Sequence, residues 1–545
     1  MKEIKSVILS GLLLVSSGAF ITSCSDALDL GPIDYYGSES YWKTESHATG
    51  YIDGIHKHLR DAAWQHTITF GELRGGTYKD GLSADGNAIP DGNIRLQNLD
   101  KNNTGVSGFG NLFGRITNLN LFIARVTDAT YLSEEKKNFY LGQVYGLRAF
   151  YYFDLYRVYG GVPLRLTVDV IDGELDPNKL YMKRSTPKEV MTQIKSDLKK
   201  SLEYFGDVND FDPYGQGKKV YWSKAATECL IGEVYLWTSK VTTGDDTANP
   251  ADLAIAKQHL LNVENNYGLN MLDNFADVFE AKNHKGNDEI IFAIRYLEGE
   301  ATNDTWKYTY GLSGLTGNGS FHADGSRWGD PMDLKTSGSQ WYEYNMLLYK
   351  SFDEDDSRKN ATFIPSFKKN ENDELYLYGT HVLKNLGYTN SEGTRIYCGD
   401  FIFYRLSWVY LTLAEIANME GDNAGVQKYI NLVRKRAYAA NWDESKYGYK
   451  PGDFTTNELT ILHEKDKEFV QEGQRWWDVR RMTLTKSGKH LVFCKEASLD
   501  GINPILKETE AYKVLWPIEQ TMLDKDPALE QTPGYKEAEE AGKDK

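Results

Sequence analysis

Apolar residues recur at three- and four-residue intervals along most of the chain, and the breaks in that rhythm mark its loops. In 134–159 the positions Tyr140, Val144, Leu147, Tyr151, Leu155 and Val158 form one stripe. Gly160-Gly161 and Pro163 close it as a helix C-terminus is closed. The same spacing predicts helices over 42–64, 112–127, 187–204, 223–239, 251–265, 405–419, 423–438 and 457–482, and "EIIFAIRY" (289–296) reads as a strand. Two stretches lack the rhythm. Gly, Asn and Asp dominate 65–110, and 298–342 is rich in Gly, Ser, Asn, Trp and Tyr. A structureless segment of the latter length inside a compact protein usually has a function.

The stretch "YLTLAEIANMEGDNAGVQKYINLVRKRA" reads as two amphipathic helices joined at Gly421-Asp422. With small Ala414, Ala417 and Ala424 at the contacts, it has the form of a tetratricopeptide hairpin. "AATECLIGEVYLWTSK", with Leu230, Gly232 and Tyr235, resembles the first helix of another such unit. No strict repeat period is visible. The predicted fold class is therefore mainly α: a scaffold of degenerate tetratricopeptide-like helical hairpins, with few short strands and long loop insertions that carry binding.

At the N-terminus Lys2 and Lys5 precede an apolar run from Val7 to Phe20, the layout of a secretory signal. The run is short for a membrane span, which needs roughly 20 apolar residues. Ile21-Thr22-Ser23-Cys24 looks like a bacterial lipobox. Residues 1–23 are thus expected to be a lipoprotein signal peptide and Cys24 the lipidated first residue of the mature chain, with plain secretion as the alternative. No second apolar stretch is long enough to span a bilayer, so lipid would be the membrane link. The net charge of −16 argues against a nucleic-acid partner. Cys229, Cys398 and Cys494 are widely spaced, with no CxxC pair to suggest a zinc site or a disulfide framework.

Motifs for chemistry are near misses. "HEKDK" at His463 lacks the second histidine of a zinc-binding helix, and "GFGNLFG" at Gly108 has the wrong spacing for a dinucleotide loop. "DEDDSR" (353–358) lacks the spaced ligands of a calcium loop and reads as a solvated turn. No cofactor or metal is expected. Aromatic residues make up 13% of the chain, enough both to fill helix interfaces and to offer flat faces for sugar stacking. The dense block "RAFYYFDLYRVYGG" is assigned to packing, because six rings in ten residues must point all round a helix. In "EFVQEGQRWWDVRRM", Trp476 and Trp477 are expected to wedge between helices, with Arg475, Asp478 and Arg480 in ion pairs.

Several blocks together resemble one family in order and spacing: "DALDLGP" after Cys24, "LRAFYYFDLYRVYGGVPL", "RLSWVYLTLAEIA" with "INLVRKRA", "EFVQEGQRWWDVRR" and "LWPIEQTMLDKDPALEQTPGY". They are similar to the SusD/RagB family over nearly the whole mature chain. The resemblance implies an N-terminal region 24–215 and a C-terminal region 216–545 merged into one globular unit. It also implies an outer-membrane lipoprotein that captures oligosaccharide or polysaccharide, performs no chemistry on it, and partners a SusC-like TonB-dependent transporter. Ser25-Asp26 and Asp29 resemble the acidic tract of surface-exposed lipoproteins in Bacteroidetes, although Ala27 and Leu28 dilute it.

The same resemblance directs attention to Arg74 and Tyr78 within "GELRGGTYKDG", and to the 298–342 segment with Trp306, Phe321, Trp328 and Trp341. The tryptophans stand as candidate sugar platforms and Arg74 as a charged clamp, against core packing and a structural ion pair. The stretch 96–106 offers no aromatic where starch-binding relatives use one, which argues against starch itself. Two other readings stand beside glycan capture: peptide capture by the same fold, and a glycoside hydrolase on a helical scaffold.

Overall fold

The computed structural model describes residues 41–81, 92–105, 109–168, 180–311, 319–336 and 338–538. The expected signal segment and Cys24 lie outside them. Ten α-helices of seven or more residues carry the fold among these residues: α1 (Glu45–Arg60), α2 (Phe109–Val126), α3 (Glu134–Tyr159), α4 (Pro187–Phe205), α5 (Lys224–Lys240), α6 (Asp252–Asn266), α7 (Leu406–Glu420), α8 (Asn423–Tyr438), α9 (Phe454–Glu468) and α10 (Arg475–Arg481). Three consecutive pairs, α3 with α4, α5 with α6 and α7 with α8, pack side by side. One hydrophobic core runs through them, drawing residues from Trp42 to Leu529. The protein is mainly α, as its periodicity predicts.

Local chemistry sets the helix ends. Ser133 caps α3 by accepting from the Lys136 N–H, Glu134 and Glu135 follow in the first turn, and Gly160 at φ 74° ends the helix. Thr186 and Glu189 form a capping box ahead of α4, with Pro187 in its first turn. Nearly every residue of α3 from Phe139 to Tyr159 is buried, as the ring-dense block requires. Its Gly146 has a packing reason, since a Cβ there would stand 2.1 Å from the indole nitrogen of Trp222.

The strands form small antiparallel pairs. β1 (Tyr78–Asp80) joins β3 (Tyr342–Tyr344) with Lys79 opposite Glu343. β2 (Ile290–Ile294) joins β6 (Phe401–Arg405), while β4 (Phe363–Lys369) and β5 (Leu375–Val382) make a hairpin. The predicted strand at 289–296 is β2; the β4–β5 hairpin had no sequence expectation.

At the centre of the C-terminal half lies a buried ionic network. Glu468 receives the guanidiniums of Arg405 at 2.6 Å, Arg358 at 3.1 Å and Arg436. Arg405 also reaches Glu289 at 2.9 Å and Glu472 at 2.7 Å, and Lys384 reaches Glu472 at 2.7 Å. Burial alone would push the Glu468 carboxyl up. Arg436, Arg405 and Arg358 outweigh it and hold the group well below the usual carboxylate range. A second network links α5, α7, α9 and α10 through Glu415, bound by Lys240 at 3.0 Å and Arg481 at 2.7 Å, with Lys465 on Asp478 at 2.8 Å.

Three expectations are corrected. The helix expected over 457–482 is two helices, α9 and α10, separated by a turn in which Gln471 and Gly473 take positive φ. The turn at 353–358 is only partly solvated, because Asp356 and Arg358 are buried and paired at 2.7 Å as part of the network. Arg480 does not sit on a carboxylate. Its guanidinium lies over the rings of Trp237, Trp476 and Trp477 and donates to the Arg157 carbonyl at 2.7 Å.

Removing the charge of Glu468 would leave three buried guanidiniums undercompensated. Glu468→Gln is expected to lower stability by about 3–5 kcal/mol, read as a reduced urea midpoint. The exposed Glu371→Gln is expected to leave the midpoint unchanged.

Candidate functional site

α1 buries Ile52, Ile55 and Leu59 against the core and turns Lys57 and Arg60 outward. Past its end the chain enters a π-helical turn, Gln65–Thr69, a device common at functional positions because it shifts side chains out of α-phase. His66, Thr67 and Ile68 go into the core, while Trp64 and Gln65 stay half-exposed. Facing them is the segment after β2. There Asn303, fully buried, donates from its amide to the Gly399 carbonyl at 2.7 Å and caps a short 3-10 helix, Asp304–Tyr308.

That short helix sends two aromatic residues opposite ways. Trp306 points inward and stacks on Tyr397 at 4.5 Å and 6°. Tyr308 points outward, meeting the Trp64 ring edge to face at 4.6 Å and lying parallel to Trp341 at 4.8 Å and 13°. The half-buried rings of Trp64 and Tyr308 wall an open cleft of about 680 Å³, with Trp341 backing Tyr308. Its polar lining includes Arg60, Asp61, Gln65, Glu300, Asp304 and Thr305. Arg60 bridges to Glu300 at 2.5 Å across one end. Flat aromatic faces beside orienting charges and amides suit a polyhydroxylated ligand, whose C–H faces stack while its hydroxyls bond. Among the described residues no group of three or more His, Cys, Asp or Glu side chains could hold a metal ion.

The sequence-chosen residues occupy different positions. Trp341 belongs to the aromatic cluster. Phe321 is half-buried at the β4 edge, its ring beneath Arg327 and Lys369. The other four are buried and do not line this cleft. Trp306 and Trp328 share a small core with Tyr310, and the Trp328 indole donates to the Pro365 carbonyl at 2.9 Å. Tyr78 pairs hydroxyl to hydroxyl with Tyr344 at 2.6 Å. Arg74 lies between the indoles of Trp476 and Trp516 and donates to Gln97 at 2.7 Å, and burial pushes its guanidinium down to about 10. It is structural through ring stacking and not through an ion pair. Trp64, not among those residues, falls in helical phase with Lys57 and Arg60 and is half-buried, packing one side against the core and leaving the other to the cleft.

The comparisons with known proteins agree with the fold. The family model described as "SusD family" matches residues 331–535, and one described as "Starch-binding associating with outer membrane" matches 89–236. A solved SusD superfamily protein from Bacteroides fragilis NCTC 9343 is 71% identical, covers 91% of this chain and 100% of its own, and superposes with a TM-score of 0.86. The chain belongs to the SusD family. B. fragilis NanU is 30% identical over 93% of this chain and 100% of its own, TM-score 0.79. Surface glycan-binding protein A from Bacteroides uniformis shares the fold at 19% identity, covering 90% of this chain and 99% of its own, TM-score 0.69. No helix among the described residues is long and apolar enough to cross a membrane.

Behind the cleft Tyr342 lies 6.0 Å from Trp64 and nearly parallel to it. Next to it Glu343 points the other way, accepts from the Thr380 N–H at 3.0 Å and pairs with Lys79 at 3.2 Å. Burial pushes this carboxyl from 4.5 up to about 7, more than Lys79 pulls it down. The folded protein therefore holds a proton there that the unfolded chain releases between those values, so stability falls as pH rises from about 4.5 to 7, by up to about 3 kcal/mol. Glu343→Gln keeps the acceptor oxygen. Its melting temperature is expected to match the parent near pH 5 and exceed it near pH 8; an equal offset at both values would contradict this assignment.

Proposed function

We propose that this SusD-family protein captures oligosaccharide or polysaccharide chains at the cell surface in the Trp64–Tyr308–Trp341 cleft, tethered to the outer membrane through Cys24, and passes them intact to a SusC-type TonB-dependent transporter. The observation that carries the reading is the cleft itself: two half-exposed aromatic faces at its wall, a third ring behind them, and charged and amide groups around them. The matched family description names starch binding and association with the outer membrane, and a protein of the same fold is named for surface glycan binding. Both support this class of ligand and leave the particular glycan open.

Native affinity electrophoresis through plant, fungal and host polysaccharides tests the reading. At least one polysaccharide is expected to retard the protein, with Trp64→Ala losing that retardation and Trp328→Ala keeping whatever its fold allows. Free migration through every gel would contradict glycan capture and turn the search to peptides. For the tether, Cys24→Ala is expected to leave the membrane fraction and take up no labelled palmitate, whereas a variant still held in the membrane would contradict lipid anchoring.

A further inference from the structure

A second cavity, about 580 Å³, lies on the other side of the Arg60–Glu300 bridge. Lys57, Arg60 and Glu300 line both cavities. On α1 the positions 53, 57 and 60 fall on one stripe, so a single helix face runs from one cavity into the other. The second cavity has the ingredients of the first. Tyr221 is half-buried, its ring 4.5 Å from that of His56, and its hydroxyl donates to Asp53 at 2.7 Å. Beside it Leu297 is 37% exposed, a large apolar side chain at the cavity wall that the core leaves uncovered.

The bridge between the cavities is easily opened. The Glu300 side chain is 53% exposed, and an ion pair so wetted contributes little. The Arg60 guanidinium keeps a second anchor, the Arg295 carbonyl at 3.4 Å, so a ligand hydroxyl can replace Glu300 without the arginine moving away. The second cavity carries both signs of charge, with Asp53 and Glu300 facing Lys57 and Arg60, and Arg295 engaged by Asp400 at 2.9 Å. Such a lining fits a neutral polyhydroxylated chain. Each cavity alone has the size of a small-ligand site, and two sharing a wall exceed what one sugar ring needs.

We propose that the second cavity is a further subsite for the same glycan. A chain stacked on Trp64 and Tyr308 continues across Arg60, taking the place of Glu300, and its next residues rest on Tyr221 and Leu297 with hydroxyls bonded to Asp53. The proposal rests on the glycan-capture reading, and it makes the ligand an extended oligosaccharide and not a mono- or disaccharide.

Isothermal titration of the mature protein with malto-, xylo-, manno- and chito-oligosaccharides, each from disaccharide to octasaccharide, tests it. In the series that binds, affinity is expected to climb with length. Tyr221→Ala is expected to weaken the longest member roughly tenfold and leave the shortest binder unchanged, with Tyr221→Phe retaining most of the gain. Leu297→Asp, at an exposed position, is expected to give the same length-selective loss even if Tyr221→Ala folds poorly. Parent-like binding of every length by both Tyr221→Ala and Leu297→Asp would overturn the second subsite while the first cleft stands. Indifference of all lengths to Trp64→Ala, or no binding by any series, would overturn the first cleft, and the second subsite with it.

Discussion

Glu468 closes α9 with the guanidiniums of Arg358, Arg405 and Arg436 on its carboxylate. One side of the cleft connects to that cluster through the turn that follows α9. A buried carboxylate among three arginines tolerates little displacement, because each hydrogen bond lost leaves a charge in a medium that cannot solvate it. The cluster fixes where β6, α8 and the short helix Ser357–Thr362 meet α9. It also fixes the start of the turn that follows, where Arg405 donates to the Glu468 carbonyl at 2.9 Å.

That turn reaches the cleft through two glycines. A Cβ on Gly473 would stand 2.4 Å from the Thr67 carbonyl, and one on Gly71 only 1.9 Å from the Gly473 carbonyl. The 469–474 turn therefore lies directly against the π-helical turn that follows Trp64. Glu72 fastens the contact, accepting from the Gly473 N–H at 2.9 Å, the Gln471 N–H at 3.2 Å and the Tyr344 hydroxyl. The chain of constraint runs from charge cluster to glycine turn to aromatic wall. A residue as distant from the cleft as Glu468 thus supports the turn that packs beside it.

Helices with a sustained apolar stripe were legible in sequence: α3 and α8 have the residues their spacing predicts, and α4 and α7 differ by a residue or so at an end. The α9–α10 break was not, since apolar and charged residues continue through it in helical phase and only the contacts of Gly473 require the turn. The solvated-turn assignment for 353–358 held for Asp353 to Asp355 and not for Asp356 and Arg358, for a related reason. A run of acidic residues looks solvated until partners far along the chain, here Glu464 and Glu468, bring Arg358 into the interior. The cleft was legible in part. The 298–342 segment does supply one of its walls, yet composition could not tell Trp306 from Tyr308, which differ only in the side of a short helix from which they project. Trp64 lay at the end of a helix already assigned, and its outward phase was the available signal.

The proposed stacking of ligand on Trp64 and Tyr308 in the open cleft can be observed directly. A crystal structure of the protein grown with an octasaccharide from the series it binds tests this most directly. Sugar rings are expected parallel to the Trp64 or Tyr308 face, with hydroxyls bonded to groups of the Arg60–Glu300 region. Sugar bound at another surface, with Trp64 and Tyr308 left bare, would contradict it.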